Sequence, residues 1–215
     1  TTVMWTFTGF SDQLFIGGMK GEGDAGIYAA AVKVPNLISM LSTIFFQAWN
    51  MSAITENESK DRNVFYEKVY GAYESVLFIG SAALILIVKP VSALLINYSV
   101  YPEYSKSYIY TPLLIAAALF TCLDLFLASI YTATNHTKNA FITISAAFIL
   151  NILLNYLLIP IFDIQGAALA TFLSYFLCFI MRILDARRFV PFRYNPFASC
   201  AGTALLLLMC YFAIF

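Results

Sequence analysis

Seven long apolar runs, joined by short polar connections, constrain this chain more than any other feature. They cover about residues 2–19, 26–55, 64–88, 108–133, 140–160, 164–182 and 197–215. The hydrocarbon core of a bilayer is about 30 Å thick and takes roughly 20 apolar residues as a helix, so each run predicts a membrane-spanning helix. The runs are continuously apolar rather than alternating, which argues against a transmembrane β-barrel. Composition agrees. Of 215 residues, 61% are hydrophobic and 11% charged, against roughly 25% charged in a soluble domain. Mean hydropathy is +0.79. The fold class that follows is all-α, a polytopic membrane helical bundle. Twelve basic and twelve acidic side chains cancel, so the chain lacks the bulk positive charge of a nucleic-acid binder, and no nucleic acid is expected as a partner.

Most connections are short and polar: Lys20 to Asp24, Glu56 to Asn63, and Thr134 to Asn139. Residues 89–107 differ. Lys89-Pro90 stops a helix, Val91 to Ile96 reads as a short amphipathic turn, and Tyr98 to Tyr108 as a tyrosine-rich loop. Alternate connections put Lys60, Arg62, Lys68, Lys138, Arg182, Arg187, Arg188 and Arg193 on one side, and Lys20, Lys89 and Lys106 on the other. Eight against three predicts that the first side is cytoplasmic. The basic linker 183–196 is expected to anchor to anionic headgroups, and Glu67, Lys68 and Arg182, near helix ends, to lie in the interface. The sequence opens on Thr1 without a basic-then-apolar leader and is still apolar at Phe215, as expected of a piece of a longer protein.

Ionisable groups at membrane depth are costly and face a cavity or a partner. Asp12 lies midway along the first run, Lys33 seven residues into the second, Glu74 ten residues into the third, and Asp124 deep in the fourth. Lys33, Asn36, Met40, Thr43, Gln47 and Asn50 recur at steps of three or four, which is one helical face. Glu67, Tyr70 and Glu74 share a face of the third helix, and Thr121, Asp124 and Tyr131 of the fourth. The fifth carries Asn151 and Asn155 one turn apart, the sixth Thr171, Ser174, Cys178 and Arg182, and the first Trp5, Thr8 and Asp12. Six polar stripes argue for a shared hydrated cavity. The alternatives are packing glue between helices for the asparagines and hydroxyls, and a structural ion pair between Asp12 and Lys33.

Pro35 lies inside the second run, and its missing N–H leaves the Ala31 carbonyl without its usual partner, so a kink is expected beside Lys33. The small residues from Gly166 to Ala170 predict a close helix contact. Cys122, Cys178, Cys200 and Cys210 sit in apolar stretches without CxxC spacing and read as small hydrophobes. His136 is the sole histidine, so a histidine-rich metal centre is excluded. Walker, HExxH and GxSxG motifs are absent. No enzyme activity, catalytic residue, cofactor or metal is therefore predicted. The sequons at Asn57, Asn97 and Asn135 are short, frequent patterns and carry no argument.

Two stretches carry a resemblance. Ser11-Asp12, followed by Asp24-Ala25-Gly26-Ile27-Tyr28-Ala29-Ala30-Ala31-Val32-Lys33, resembles the start of the carboxy-terminal lobe of the oligosaccharide-lipid flippases. So does Asn151 to Pro160 running into Gln165 to Thr171. These flippases form the polysaccharide-transport branch of the superfamily that also holds the multidrug and toxic compound extruders. The match covers about residues 1–182.

The resemblance implies two six-helix lobes around a central cavity that opens alternately to either side. Residues 1–182 would be the second lobe, 183–196 a cytoplasmic linker, and 197–215 an added helix; the amino-terminal lobe would be a partner missing from this sequence. It also implies a bacterial cytoplasmic membrane, and transport of an undecaprenyl-pyrophosphate-linked oligosaccharide (an O-antigen, capsule or exopolysaccharide repeat unit) to the outer leaflet, coupled to H+ or Na+. A polysaccharide polymerase and a chain-length regulator would be functional partners. Under that implication Lys33 meets the substrate phosphate or an acidic sugar. Gln47, Asn50, Tyr70, Asn151 and Asn155 bond sugar hydroxyls, and Asp12, Glu74 or Asp124 couples the ion. A cation-coupled drug exporter of the same superfamily is the alternative, and a membrane polysaccharide polymerase or ligase a third reading.

Overall fold

A computed structural model describes residues 2–55, 60–96, 98 and 102–214. It is helical almost throughout: α1 Thr2–Lys20, α2 Glu22–Ala31, α3 Pro35–Thr55, α4 Arg62–Leu86, α5 Val88–Leu95, a 3-10 helix Pro102–Ile109, α6 Thr111–Ala133, α7 Thr137–Ala186 and α8 Pro196–Ile214. Four helices (α4, α6, α7 and α8) are long and apolar enough to cross a membrane, and α2 with α3 makes a fifth if that bent pair counts as one span. The chain thus has the make-up of a multi-pass membrane protein. α1, interrupted by Ser11-Asp12-Gln13, falls short on apolarity.

At 50 residues, α7 would reach about 75 Å if straight, at 1.5 Å per residue. It does not. Asn139 donates to Asp185 at 2.6 Å, Arg182 to Thr143 at 3.0 Å, and Asn151 lies 3.5 Å from Thr171. These nested pairs require a fold-back, and it falls at Asp163, where φ is 53° and ψ −139°. Positive φ is uncommon outside glycine, and this ψ lies far from the helical value, so the chain reverses at this one residue. The antiparallel arms correspond to the runs 140–160 and 164–182. They touch at Gly166, where a Cβ would stand 2.4 Å from the Leu158 carbonyl oxygen. The small residues Ala167, Ala168 and Ala170 are completely buried along the same seam.

Three local expectations need correction. The run 26–55 is two helices bent by 47°, with α2 starting already at Glu22, so that the polar connection shrinks to Gly21 (φ 109°). The Ala31 carbonyl released by Pro35 is taken up by the Thr111 hydroxyl at 3.3 Å, which satisfies a group that hydrocarbon cannot. Pro90 does not end a helix: α4 stops at Leu86, and Pro90 sits in the first turn of α5, where a missing N–H is harmless. The tyrosine-rich loop is in part a 3-10 helix, and Tyr108 receives Lys89 over its ring at 5.2 Å. Residues 56–59, 97 and 99–101 of the expected connections lie outside the described residues.

The larger apolar core lies between α3, α4, α6, α8 and the second arm of α7. An aromatic stack pins its centre. Trp49 lies against Phe126 with ring centroids 4.5 Å apart and meets Tyr66 edge-on at 5.1 Å, while its indole N–H donates to Ser129 at 2.7 Å. A smaller core (Ile16, Tyr28, Ala31, Leu114, Ile159, Ile164, Ala167 and Ala168) joins α1 and α2 to the turn of the α7 hairpin. The two meet on α6. Basic residues gather at one end of the bundle, at the starts of α4 and α7 and in the linker before α8. The opposite end carries Lys20, ion-paired with Asp163 at the hairpin turn.

The Gly166 contact makes the hairpin testable. Gly166→Ala should cost about 1–3 kcal/mol through overpacking, read as a lowered thermal unfolding midpoint in detergent. Gly18→Ala, where a Cβ meets nothing within 4 Å, should be neutral or mildly stabilising.

Candidate functional site

Asp12 is the centre of the most developed polar cluster. It is completely buried, facing α2 and both arms of α7, and each carboxylate oxygen accepts two hydrogen bonds. Oδ1 receives the side-chain amides of Asn151 at 3.1 Å and Asn155 at 2.6 Å. Oδ2 receives the hydroxyls of Tyr28 at 2.8 Å and Thr171 at 2.6 Å. A second ring of contacts holds the donors: Ser11 donates to Asn151 Oδ1 at 3.1 Å, and Asn155 donates to the same oxygen at 3.2 Å. The side-chain carbonyl oxygen of Asn155 is buried and has no partner among the described residues.

Why these residues converge follows from local geometry. Asn151 and Asn155 are one turn apart and so share a face. The fold-back at Asp163 brings Thr171 opposite them, and Gly166 lets the arms approach closely enough for all three to reach one carboxylate. Gly21 turns the chain so that α2 carries Tyr28 back to Asp12. Asp12, Tyr28 and Thr171 also line a concavity of about 380 Å³, whose rim includes Gln13, Asn36 and Thr121. That concavity borders the α2–α3 bend through Val32 and Pro35.

Chemically, this is a carboxylate among neutral donors and oxygens, with no cation on it among the described residues. Asp12 is therefore not ion-paired with Lys33. Such a group can take up a proton, or the amides can swing their carbonyl oxygens inward around a hard monovalent cation. Among the described residues no three His, Cys, Asp or Glu side chains converge as for a transition metal.

The remaining sequence candidates lie elsewhere. Lys33 sits exposed in the bend between α2 and α3, and Asn36, Met40, Thr43 and Gln47 are exposed along one face of α3, with Asn50 half-buried. Of that stripe only Asn36 lines the concavity beside Asp12, and the six stripes do not all converge within this chain. The side chain of Trp5 lies outside what is described. Tyr70 is buried and bonds Glu74 at 3.4 Å; Glu74 in turn accepts from Ser199, tying α4 to α8. Asp124 is completely buried, and among the described residues neither carboxylate oxygen receives an N–H or O–H donor. The three candidate ion-coupling acids thus occupy three separate places.

Arg182 corrects another expectation. It does not reach the interface but is completely buried, donating to Thr143 Oγ1 at 3.0 Å, the Asp124 backbone carbonyl at 2.8 Å and the Ala140 carbonyl at 3.2 Å. Ala140 and Thr143 are small enough to leave room for the guanidinium, whose planar fork reaches three acceptors at once. Outside the spans, burial raises the Tyr194 hydroxyl above its ordinary pKa, and Glu74 adds to the rise.

Compared with protein-family models, with curated proteins and with solved structures, the chain matches none.

Arg182→Lys should destabilise the bundle by about 1–3 kcal/mol in detergent unfolding, because an ammonium cannot reach all three acceptors and a buried acceptor left unmatched costs that much.

Proposed function

We propose that this chain forms the carboxy-terminal lobe of a flippase in a bacterial cytoplasmic membrane, moving a lipid-linked oligosaccharide to the outer leaflet. In this reading α1, the α2–α3 pair, α4, α6 and the two arms of α7 are six helices of one lobe, and α8 is an added helix. The observation that carries it is the exposed polar face of α3 running from Lys33 to Gln47. Amides, hydroxyls and an ammonium cannot face hydrocarbon without a cost of several kcal/mol. A water-filled cavity closed by a second lobe would cover them, and Lys33 at its bend would meet the cargo's phosphate.

The same reading gives Asp12 the coupling role, with H+ or Na+ as the ion. Asn151 and Asn155, expected from sequence at the sugar, would serve the ion instead, because both are buried on Asp12. Gln47 and Asn50 keep the sugar-binding role. Tyr70 and Glu74 line a different concavity near the basic end. Glu74 and Asp124 would stand behind Asp12 as coupling groups, since Glu74 is engaged by Ser199 and Asp124 lies apart from the concavity beside Asp12.

Deletion of the gene in its host, with extraction of undecaprenyl-linked oligosaccharides, tests the reading. Accumulation of a completed repeat unit on the lipid with loss of surface polysaccharide is the expected result. An unchanged lipid pool together with drug hypersensitivity would transfer the proposal to drug export. Lys33→Ala should lower flipping about ten- to hundredfold at normal protein level, the weight of one charge-assisted contact worth about 1.5–3 kcal/mol. Asp12→Asn should abolish the dependence of transport on the ion gradient, checked by varying sodium and pH separately.

A further inference from the structure

Two concavities meet on α4. The first is an apolar groove of about 670 Å³ between α3 and α4, running from Lys68 at one end to Leu84 at the other, with Leu41, Val76 and Gly80 along it. That stretch of α4 is about 24 Å long at the helical rise, more than one leaflet's share of a core about 30 Å thick. The groove exists because α3 and α4 are held together on their inner side only, where Trp49 meets Tyr66 and Ser42 bonds Tyr73. On the outer side Ala72 and Gly80 leave the space between them unfilled. Leu41 and Val76 are 70% and 68% exposed, which opens the groove toward lipid.

The second concavity, about 700 Å³, lies between α4 and the linker to α8 and shares Lys68 and Ala72 with the first. Arg187 and Arg193 line it as well. The linker is fixed there by the Arg193 backbone N–H donating to Glu67 at 3.4 Å. Among the described residues ion pairs join Lys20 to Asp163 and Arg188 to Asp185, and none involves Lys68, Arg187 or Arg193. The two carboxylates of the cleft accept from neutral donors: Glu67 from that N–H, and Glu74 from Ser199 and Tyr70. Among the described residues, Lys68, Arg187 and Arg193 are thus in no ion pair and outnumber the two carboxylates of the cleft, beside a chain-length apolar groove at the basic end of the bundle.

We propose that this pair of concavities is a binding site for one anionic phospholipid of the surrounding bilayer, its acyl chain along the α3–α4 groove and its phosphate at Lys68, Arg187 and Arg193. An amphiphile matches both halves, whereas a free phosphate would use only the second. The site lies apart from Asp12 and Lys33 and does not depend on what the protein transports.

The whole chain, extracted in mild detergent from membranes containing both phosphatidylglycerol and phosphatidylethanolamine, can be examined by native mass spectrometry for retained lipid. One retained phosphatidylglycerol per chain is the expected result, and equal retention of the zwitterionic lipid would overturn the proposal. Lys68→Gln and Arg193→Gln should each weaken retention about fivefold, as each basic residue near an anionic surface contributes about that factor. Gly80→Leu fills the groove where a Cβ meets nothing within 4 Å and keeps every cation; it should also reduce retention. Full retention in Gly80→Leu with loss in Lys68→Gln would mean that the cations bind phosphate without the groove, and would overturn the site as an amphiphile site. Unchanged helicity and unfolding midpoints in the variants separate these effects from misfolding.

Discussion

A carboxylate that has left water is costly without donors, and Asp12, in a bundle bounded by hydrocarbon, finds them on other helices. Asp12 draws its four from three elements: Tyr28 on α2, Asn151 and Asn155 on the first arm of α7, and Thr171 on the second. Satisfying one side chain therefore sets the register of the hairpin, the turn at Gly21 and the depth of α1 together. A slip of one residue in either arm would strand at least one donor, each stranded group costing about 1–3 kcal/mol. The apolar packing around it is comparatively permissive, since many registers bury leucines and alanines equally well. Polar satisfaction supplies the uniqueness that apolar burial lacks.

Arg182 plays the same part near the other end of the hairpin. It reaches Ala140 and Thr143 on the opposite arm and the Asp124 carbonyl on α6, so the open ends of the arms are tied to each other and to the most buried helix. Asn139 and Asp185 add a second tie just beyond it. On the turn side of the Asp12 bonds the seam is made of Gly166, Ala167, Ala168 and Ala170, which hold the backbones close without directing them.

Much of this was legible in the sequence, and the exceptions have physical reasons. Helix positions follow from apolar runs, because hydrocarbon admits little else than helix for such segments. The bend was visible at Pro35, and the close seam could be read from the small residues that run from Gly166 to Ala170. The polarity of Asp12, Asn151 and Asn155 was legible as well, but not their shared purpose, which depends on the fold-back at a single Asp163 dihedral that no periodicity reveals. Tyr28 was the donor not foreseen, and Thr171, placed on the polar stripe of the sixth helix, was not linked to Asp12. A lone tyrosine in an alanine-rich helix was the available signal for Tyr28. Arg182 was misread because a charge near a helix end ordinarily reaches outward, and only a three-dimensional pocket of small residues with carbonyl and hydroxyl acceptors reverses that preference.

The two apolar cores have a mechanical consequence. α1, α2 and the hairpin turn cohere through one core, the Asp12 bonds and the Lys20–Asp163 pair, while α3, α4 and α8 cohere through the other around Trp49. The chain connecting these blocks on the α2–α3 side is the three-residue break at 32–34, and its freed carbonyl bonds a side chain, Thr111, rather than a helical N–H. A hydroxyl rotor follows a change of angle that a rigid peptide donor would resist. The bundle is thus divided like a folding rule at residues 32–34, and none of the four bonds to Asp12 crosses that joint to α3.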